Sequence, residues 1–171
     1  PTQDMEPVSI FPIDTSKISY VLPEGFRVTS MADDFELEKY GRVLWRGFNH
    51  EARGEGPYDF TDKVKITIEN CMKRPNVNLS LKVAVVAPNG DFVSYCGMWM
   101  DENSEYALVE PVATDPDYRM MGLGKAAVPE GIKRCGELGA KYAFVGSSQQ
   151  FYYNIGFRPY SFSNWWLEKS R

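Results

Sequence analysis

Leu79, Leu81, Val83 and Val85 place an apolar side chain at every second position, and a period of two sends one face of an extended strand into a core. Pro88-Asn89-Gly90-Asp91 follows as a tight turn, and Phe92 to Met100 runs back, which predicts a β-hairpin. Tyr106 to Thr114 reads as the next strand. Upstream, Phe26 to Met31 is a short strand and Asp33 a helix cap, because Leu37, Tyr40, Leu44 and Phe48 then recur at helical spacing. Residues 49–57 are a loop. Thr61 to Met72 is read as a second helix, although Val64, Ile66 and Ile68 also alternate as in a strand. Downstream, Leu123, Ala127, Gly131, Cys135 and Leu138 form a stripe of mostly small residues that lets a helix lie close on a sheet. Tyr142 to Val145 is a strand, Gln149 to Ile155 a short helix, and Phe157 to Leu167 a terminal pair of strands. The order predicts an α/β (α+β) sandwich around a mixed sheet. Residues 1–24 are either an extra strand or the tail of a preceding domain, with the domain proper at 25–171.

Composition narrows the classes. A chain of 171 residues accommodates one domain with a full core. Its net charge of −4 lacks the basic footprint of a nucleic-acid binder. No apolar run has membrane-spanning length and no basic-then-apolar leader is present, so a cytoplasmic protein is expected. Three widely spaced cysteines, Cys71, Cys96 and Cys135, suit reduced thiols better than disulfides. His50 is the single histidine, which leaves no simple route to a Ser-His-Asp hydrolase or a histidine-rich metal site. The chain begins with proline, so a processed chain or a piece of a longer one is expected.

The densest chemistry lies at Thr114 to Ala127, where a strand stops at a proline turn and an arginine and two glycines open a helix. Such a helix start presents free backbone N–H groups to a phosphate or pyrophosphate. Gly122-Leu-Gly124-Lys-Ala-Ala127 also fits a dinucleotide fingerprint, but too little chain follows it for the βαβ units that reading needs. A Walker-type loop fails because Lys125 is followed by alanine. The bland alternative is a glycine-rich helix start with no ligand.

Arg119-x-x-Gly122-x-Gly124 resembles the acyl-CoA pyrophosphate loop of the GNAT superfamily of N-acetyltransferases. The order strand, loop, helix, strand, and then Tyr152-Tyr153-Asn154-Ile155-Gly156-Phe157, is similar to that family from Glu110 to Phe157. The resemblance implies a mostly antiparallel central sheet with helices on both faces and acetyl-CoA as the acyl donor, with no metal. It implies pantetheine pairing along Val112, Ala113 and Thr114, and pyrophosphate on the backbone of Arg119, Met120, Met121, Gly122, Leu123, Gly124 and Lys125. It further implies Tyr152 beside the CoA sulfur as the acid, with Tyr153 as the alternative. Pro111 fits the bulge that opens this strand in the family. Pro129, inside the following helix, removes a hydrogen bond to Lys125 and is expected to kink or loosen that stretch.

Acyl transfer to an amine needs a base as well as an acid. Glu110, expected to be partly desolvated near the sheet opening, is the candidate, either as base or as a site for a cationic acceptor. Cys96 and Cys135 sit in apolar patterns and read as buried structural thiols. His50 reads as a surface histidine, and the resemblance implies Tyr58 and Phe60 as a wall of the acceptor pocket, because they follow the loop that shapes it in the family. The other prominent aromatics, Trp45, Trp99, Trp165 and Trp166, are expected mostly in the core. The leading expectation is acetyl transfer to a primary amine of a small molecule. The alternatives are a protein or peptide acceptor, and a non-catalytic acyl-CoA-binding half of a tandem protein. A homodimer is compatible with all three.

Overall fold

Strand β5 (Tyr106–Thr114) is the centre of the architecture, because it leads directly into the glycine loop and the helix α3 (Gly124–Glu137). A computed structural model describes residues 5–164. Around β5 stand β1 (Met5–Pro12), β2 (Arg27–Ser30), β3 (Lys82–Val86), β4 (Phe92–Met100), β6 (Tyr142–Val145) and β7 (Arg158–Asn164). They form one seven-stranded sheet in the order β2-β3-β4-β5-β6-β1-β7. Every pairing is antiparallel except β5 with β6. The helix between those two parallel strands is α3, as a crossover connection requires.

Helices cover both faces. On one, α1 (Leu37–Gly47) and α2 (Asp62–Met72) close over Met31, Ala84, Val86, Phe92 and Tyr95. Thr61 caps α2 by accepting a hydrogen bond from the Val64 amide at 3.3 Å, which settles the helix-or-strand ambiguity of that segment. On the other face α3 packs against Val85, Cys96, Met98 and Val109. The small-residue stripe has a steric reason: a Cβ on Gly131 would lie 2.8 Å from the Met98 side chain. Leu138, at the end of that stripe, is exposed. Pro129 sits inside α3, which continues through it without interruption.

Three local readings change, and for the segment before Gly25 the extra strand is the alternative observed. Ser30 donates to the Asp33 carboxylate at 2.6 Å, so Asp33 closes a turn and α1 begins later, after Glu36. Leu79–Leu81 form a 3₁₀ turn capped by Asn78, and the alternation there gives way to a strand, β3, buried on both faces. The segment before Gly25 supplies β1, which lies between β6 and β7. The terminal segment forms one strand, β7, up to Asn164; Trp165, Trp166 and Leu167 lie outside the described residues.

Candidate active site

Two parallel strands that begin together and then part create the site. β5 and β6 are paired from Tyr106 with Tyr142 to Leu108 with Phe144, and no further. Beyond Leu108, β5 stays with β4 as far as Thr114 and Ser94. Among the described residues, its other edge from Val109 to Thr114 has no strand partner.

A bulge directs this parting. Cys96 pairs with Val112 while Met98 pairs with Val109, so Gly97 faces both Glu110 and Pro111. A Cβ at residue 97 would lie 2.6 Å from the Glu110 carbonyl oxygen. The Trp99 indole N–H donates to that same oxygen at 2.8 Å. The extra residue also reverses the pleat: Val109 belongs to the α3-side core, whereas Ala113 meets Gly47 of α1.

The loop after β5 is clamped to α1. Buried Asp115 faces Arg46 Nε at 3.1 Å and Arg42 Nη1 at 3.4 Å, and its Oδ1 accepts from the Asp117 amide. The Arg119 guanidinium donates to the Gly47 carbonyl at 3.0 Å and to Asn49 Oδ1 at 2.8 Å. These contacts pin the guanidinium to the scaffold through neutral oxygens, and among the described residues no carboxylate pairs with its charge. Met120 and Gly122 both have positive φ, at 64° and 81°. Among the described residues, the backbone N–H groups of Met120 through Lys125 donate to no acceptor, and no side chain caps α3. Gly124 keeps this helix start low, since a Cβ there would stand 3.1 Å from the Phe151 ring and 3.5 Å from Thr114 Oγ1.

Helix α4 (Gln150–Tyr153) follows β6 and brings in Tyr152. Its ring is buried edge-on against Phe151 and Phe157, with centroids 5.0 and 5.6 Å away. Burial, with a smaller contribution from Cys96, pushes the Tyr152 phenol up to about 12. The phenol keeps its proton at neutral pH.

The family model of the acetyltransferase (GNAT) family matches residues 44–157, which spans the parting strands, the loop and Tyr152. The chain belongs to the GNAT family. The likeness extends to solved structures at the level of fold. A GCN5-related N-acetyltransferase from Sphaerobacter thermophilus superposes with a TM-score of 0.69 at 16% identity, over 96% of this chain and 50% of its own. One from Kribbella flavida gives 0.64 at 15% identity, over 95% and 58%. An acetyltransferase from Trypanosoma brucei gives 0.59 at 18% identity, over 84% and 99%. This chain thus spans about half the length of the first two. No curated protein matches it.

In this GNAT domain Glu110 stands at the bulge as expected, but it is exposed, so the expected desolvation is absent. Tyr153, the alternative acid, is partly buried one residue further on. Cys96 and Cys135 are buried and burial raises both thiols, Cys135 to about 12, which leaves them protonated. His50 stacks on Trp45 at 4.2 Å and its Nδ1 lies 2.9 Å from Glu55 Oε2. Tyr58 turns its hydroxyl against Gly41 of α1 and packs with Trp45 and Phe60.

Sequence reading missed two features. Lys82 falls at a polar position of the alternating pattern, yet it is buried at 3% exposure. Its Nζ donates to the Met98 carbonyl at 2.8 Å and lies 3.4 Å from the Trp99 ring centroid. Burial lowers its pKa to about 8. The second is an open groove of about 1110 Å³ on the α1/α2 side of the sheet. Its wall is the connection from α2 to β3 and its floor includes Trp99, Tyr106, Leu108 and Phe144. No sequence signal announces it, because it lies where the helices over this face leave the start of β5 and the neighbouring β6 uncovered. Among the described residues, no helix is long and apolar enough to cross a membrane.

Proposed function

We propose that this domain transfers an acetyl group from acetyl-CoA to a primary amine by direct attack on the bound thioester. The observation that carries the reading is the alignment of two unmet hydrogen-bonding surfaces. Among the described residues, the unpaired edge of β5 ends at a loop whose N–H groups, from Met120 to Lys125, have no acceptor. A pyrophosphate fits such a helix start, and an amide-bearing pantetheine arm fits an unpaired strand edge. Val112, Ala113 and Thr114 would hold the arm and the loop the phosphates. These residues make up the donor half of the site.

Tyr152 is the proton donor to the departing sulfur in this reading. A phenol held protonated suits a thiolate whose ordinary pKa is near that of cysteine, about 8.5. Glu110 meets the amine, as base or as its electrostatic anchor, because it marks the place where β5 leaves β6. As base it takes the ammonium proton before the neutral amine attacks; as anchor it steers the cation in and solvent, to which Glu110 is exposed, takes that proton. The groove that reaches Leu108, two residues from Glu110, is open rather than an enclosed pocket, which favours a peptide acceptor over the small-molecule amine expected from sequence.

Release of free CoA thiol in the presence of acetyl-CoA and a panel of amines and peptides tests the proposal. Amine-dependent release that falls in Tyr152→Phe supports it. Acetyl-CoA binding with no release for any amine would instead favour an acyl-CoA-binding module.

A further inference from the structure

We propose that the groove below Glu110 binds an extended peptide whose cationic side chain lies four residues from the reacting amine. The proposal rests on the acetyltransferase reading for where the amine points, but the binding it describes can be measured apart from turnover.

The floor and the candidate active site share one face of β5. Tyr106, Leu108 and Glu110 alternate on that face before the bulge, opposite Ala107 and Val109, which are buried on the α3 side. Leu108, on the groove floor, is two residues from Glu110, about 7 Å along a strand. A chain lying on Leu108 and Trp99 therefore runs straight toward the parting of β5 and β6. Tyr106 and Leu108 are 56% and 40% exposed, so an apolar platform is available to it.

The far end of the groove sets the charge. Met100 pairs with Ala107, three residues before Glu110, and Asp101 stands one step beyond Met100. Asp101 and Glu102 line that end, and among the described residues neither has a cationic partner. Among the described residues, no lysine or arginine lines the groove. Four strand residues span about 13 Å, so a free amine at Glu110 and a cation at Asp101 are about four extended residues apart. Trp99 is not the cation's seat, because Lys82 already places an ammonium over its ring. It offers the peptide an apolar surface, and the cation goes to the carboxylates.

The probe is a nine-residue lysine-free peptide with a free N-terminus, a C-terminal fluorophore and arginine at its fifth position. Companion peptides carry alanine or glutamate there. Anisotropy is read with and without CoA. The arginine peptide should bind at least tenfold more tightly than the alanine peptide, and the glutamate peptide most weakly. That preference should collapse in D101N/E102Q, with acetyl-CoA binding unchanged, and L108E should weaken all three. Equal affinity for the three peptides, no binding of any, or an arginine preference that survives D101N/E102Q would overturn the proposal. A separate acetyl-CoA titration keeps the two ideas apart: failure there with arginine-dependent binding intact would remove the acetyltransferase reading and leave the groove assignment standing.

Discussion

Gly97 and Glu110 approach so closely that a Cβ on the first would lie 2.6 Å from the carbonyl oxygen of the second. That contact fixes the bulge at which β5 changes its pleat and leaves β6. A side chain at residue 97 has backbone, not a flexible neighbour, in its way. Gly97→Ala should therefore destabilise the fold by about 1–3 kcal/mol. It should also weaken acetyl-CoA binding at temperatures where the variant remains folded. Thermal unfolding together with calorimetric titration reads both, and an affinity equal to wild type would separate the bulge from the donor site.

Tyr152→Phe removes a buried phenolic proton while keeping the ring between Phe151 and Phe157. We expect turnover to fall by about 100-fold or more, with acetyl-CoA affinity nearly unchanged. Retained turnover would transfer the role of acid to Tyr153 or to water.

The same phenol sets an alkaline limit on stability. Tyr152, Tyr40 and Tyr20 are all raised to about 12, in each case chiefly by burial. The unfolded chain releases these protons near the ordinary phenol value of about 10, whereas the fold resists doing so. Their contribution to stability is complete below pH 10 and is lost as pH rises toward 12. Denaturant midpoints measured from pH 8 to pH 12 should decline in that window, and more gently in Tyr152→Phe.

Lys82 has the opposite sign. Its folded pKa is lowered to about 8 while an unfolded lysine titrates near 10.5, so below pH 8 the fold carries an unfavourable buried charge. Wild type gains stability as pH rises from 8 to about 10.5, and Lys82→Met does not share in that gain. The stability of the variant relative to wild type should fall across that window, on the order of 1–3 kcal/mol. A difference that stays constant with pH would show that Lys82 is effectively solvated.

Much of this was legible in the sequence, for identifiable reasons. β4 and β5 run from Phe92 to Met100 and from Tyr106 to Thr114, as their patterns predict, because turn residues bound them on the sequence itself. Pro111 announced the bulge, since an unbroken central strand does not tolerate it. What escaped depends on tertiary partners. Nothing local tells that β1 lies between β6 and β7. Asp33 looks like a cap until Ser30 claims its carboxylate. Lys82 looks exposed until β3 proves to be covered on both faces, and the groove exists because the helices leave the first half of β5, around Tyr106 and Leu108, uncovered. For Glu110, position was readable but burial was not.

Gly122 has φ at +81° with open space where a side chain would go. A Cβ there meets no atom within 4 Å, so the cost of Gly122→Ala is the left-handed backbone, about 1–2 kcal/mol. The variant should fold and bind acetyl-CoA about tenfold more weakly as the N–H groups lose their alignment. Circular dichroism with titration calorimetry checks this.

The most direct test follows the backbone amides of the isotopically labelled domain while CoA is added. The account predicts the largest shifts at Met120 to Lys125, where N–H groups gain phosphate oxygens, and at Val112 to Thr114, where a strand edge gains a partner. Shifts confined to other regions, or none at saturating CoA, would contradict it.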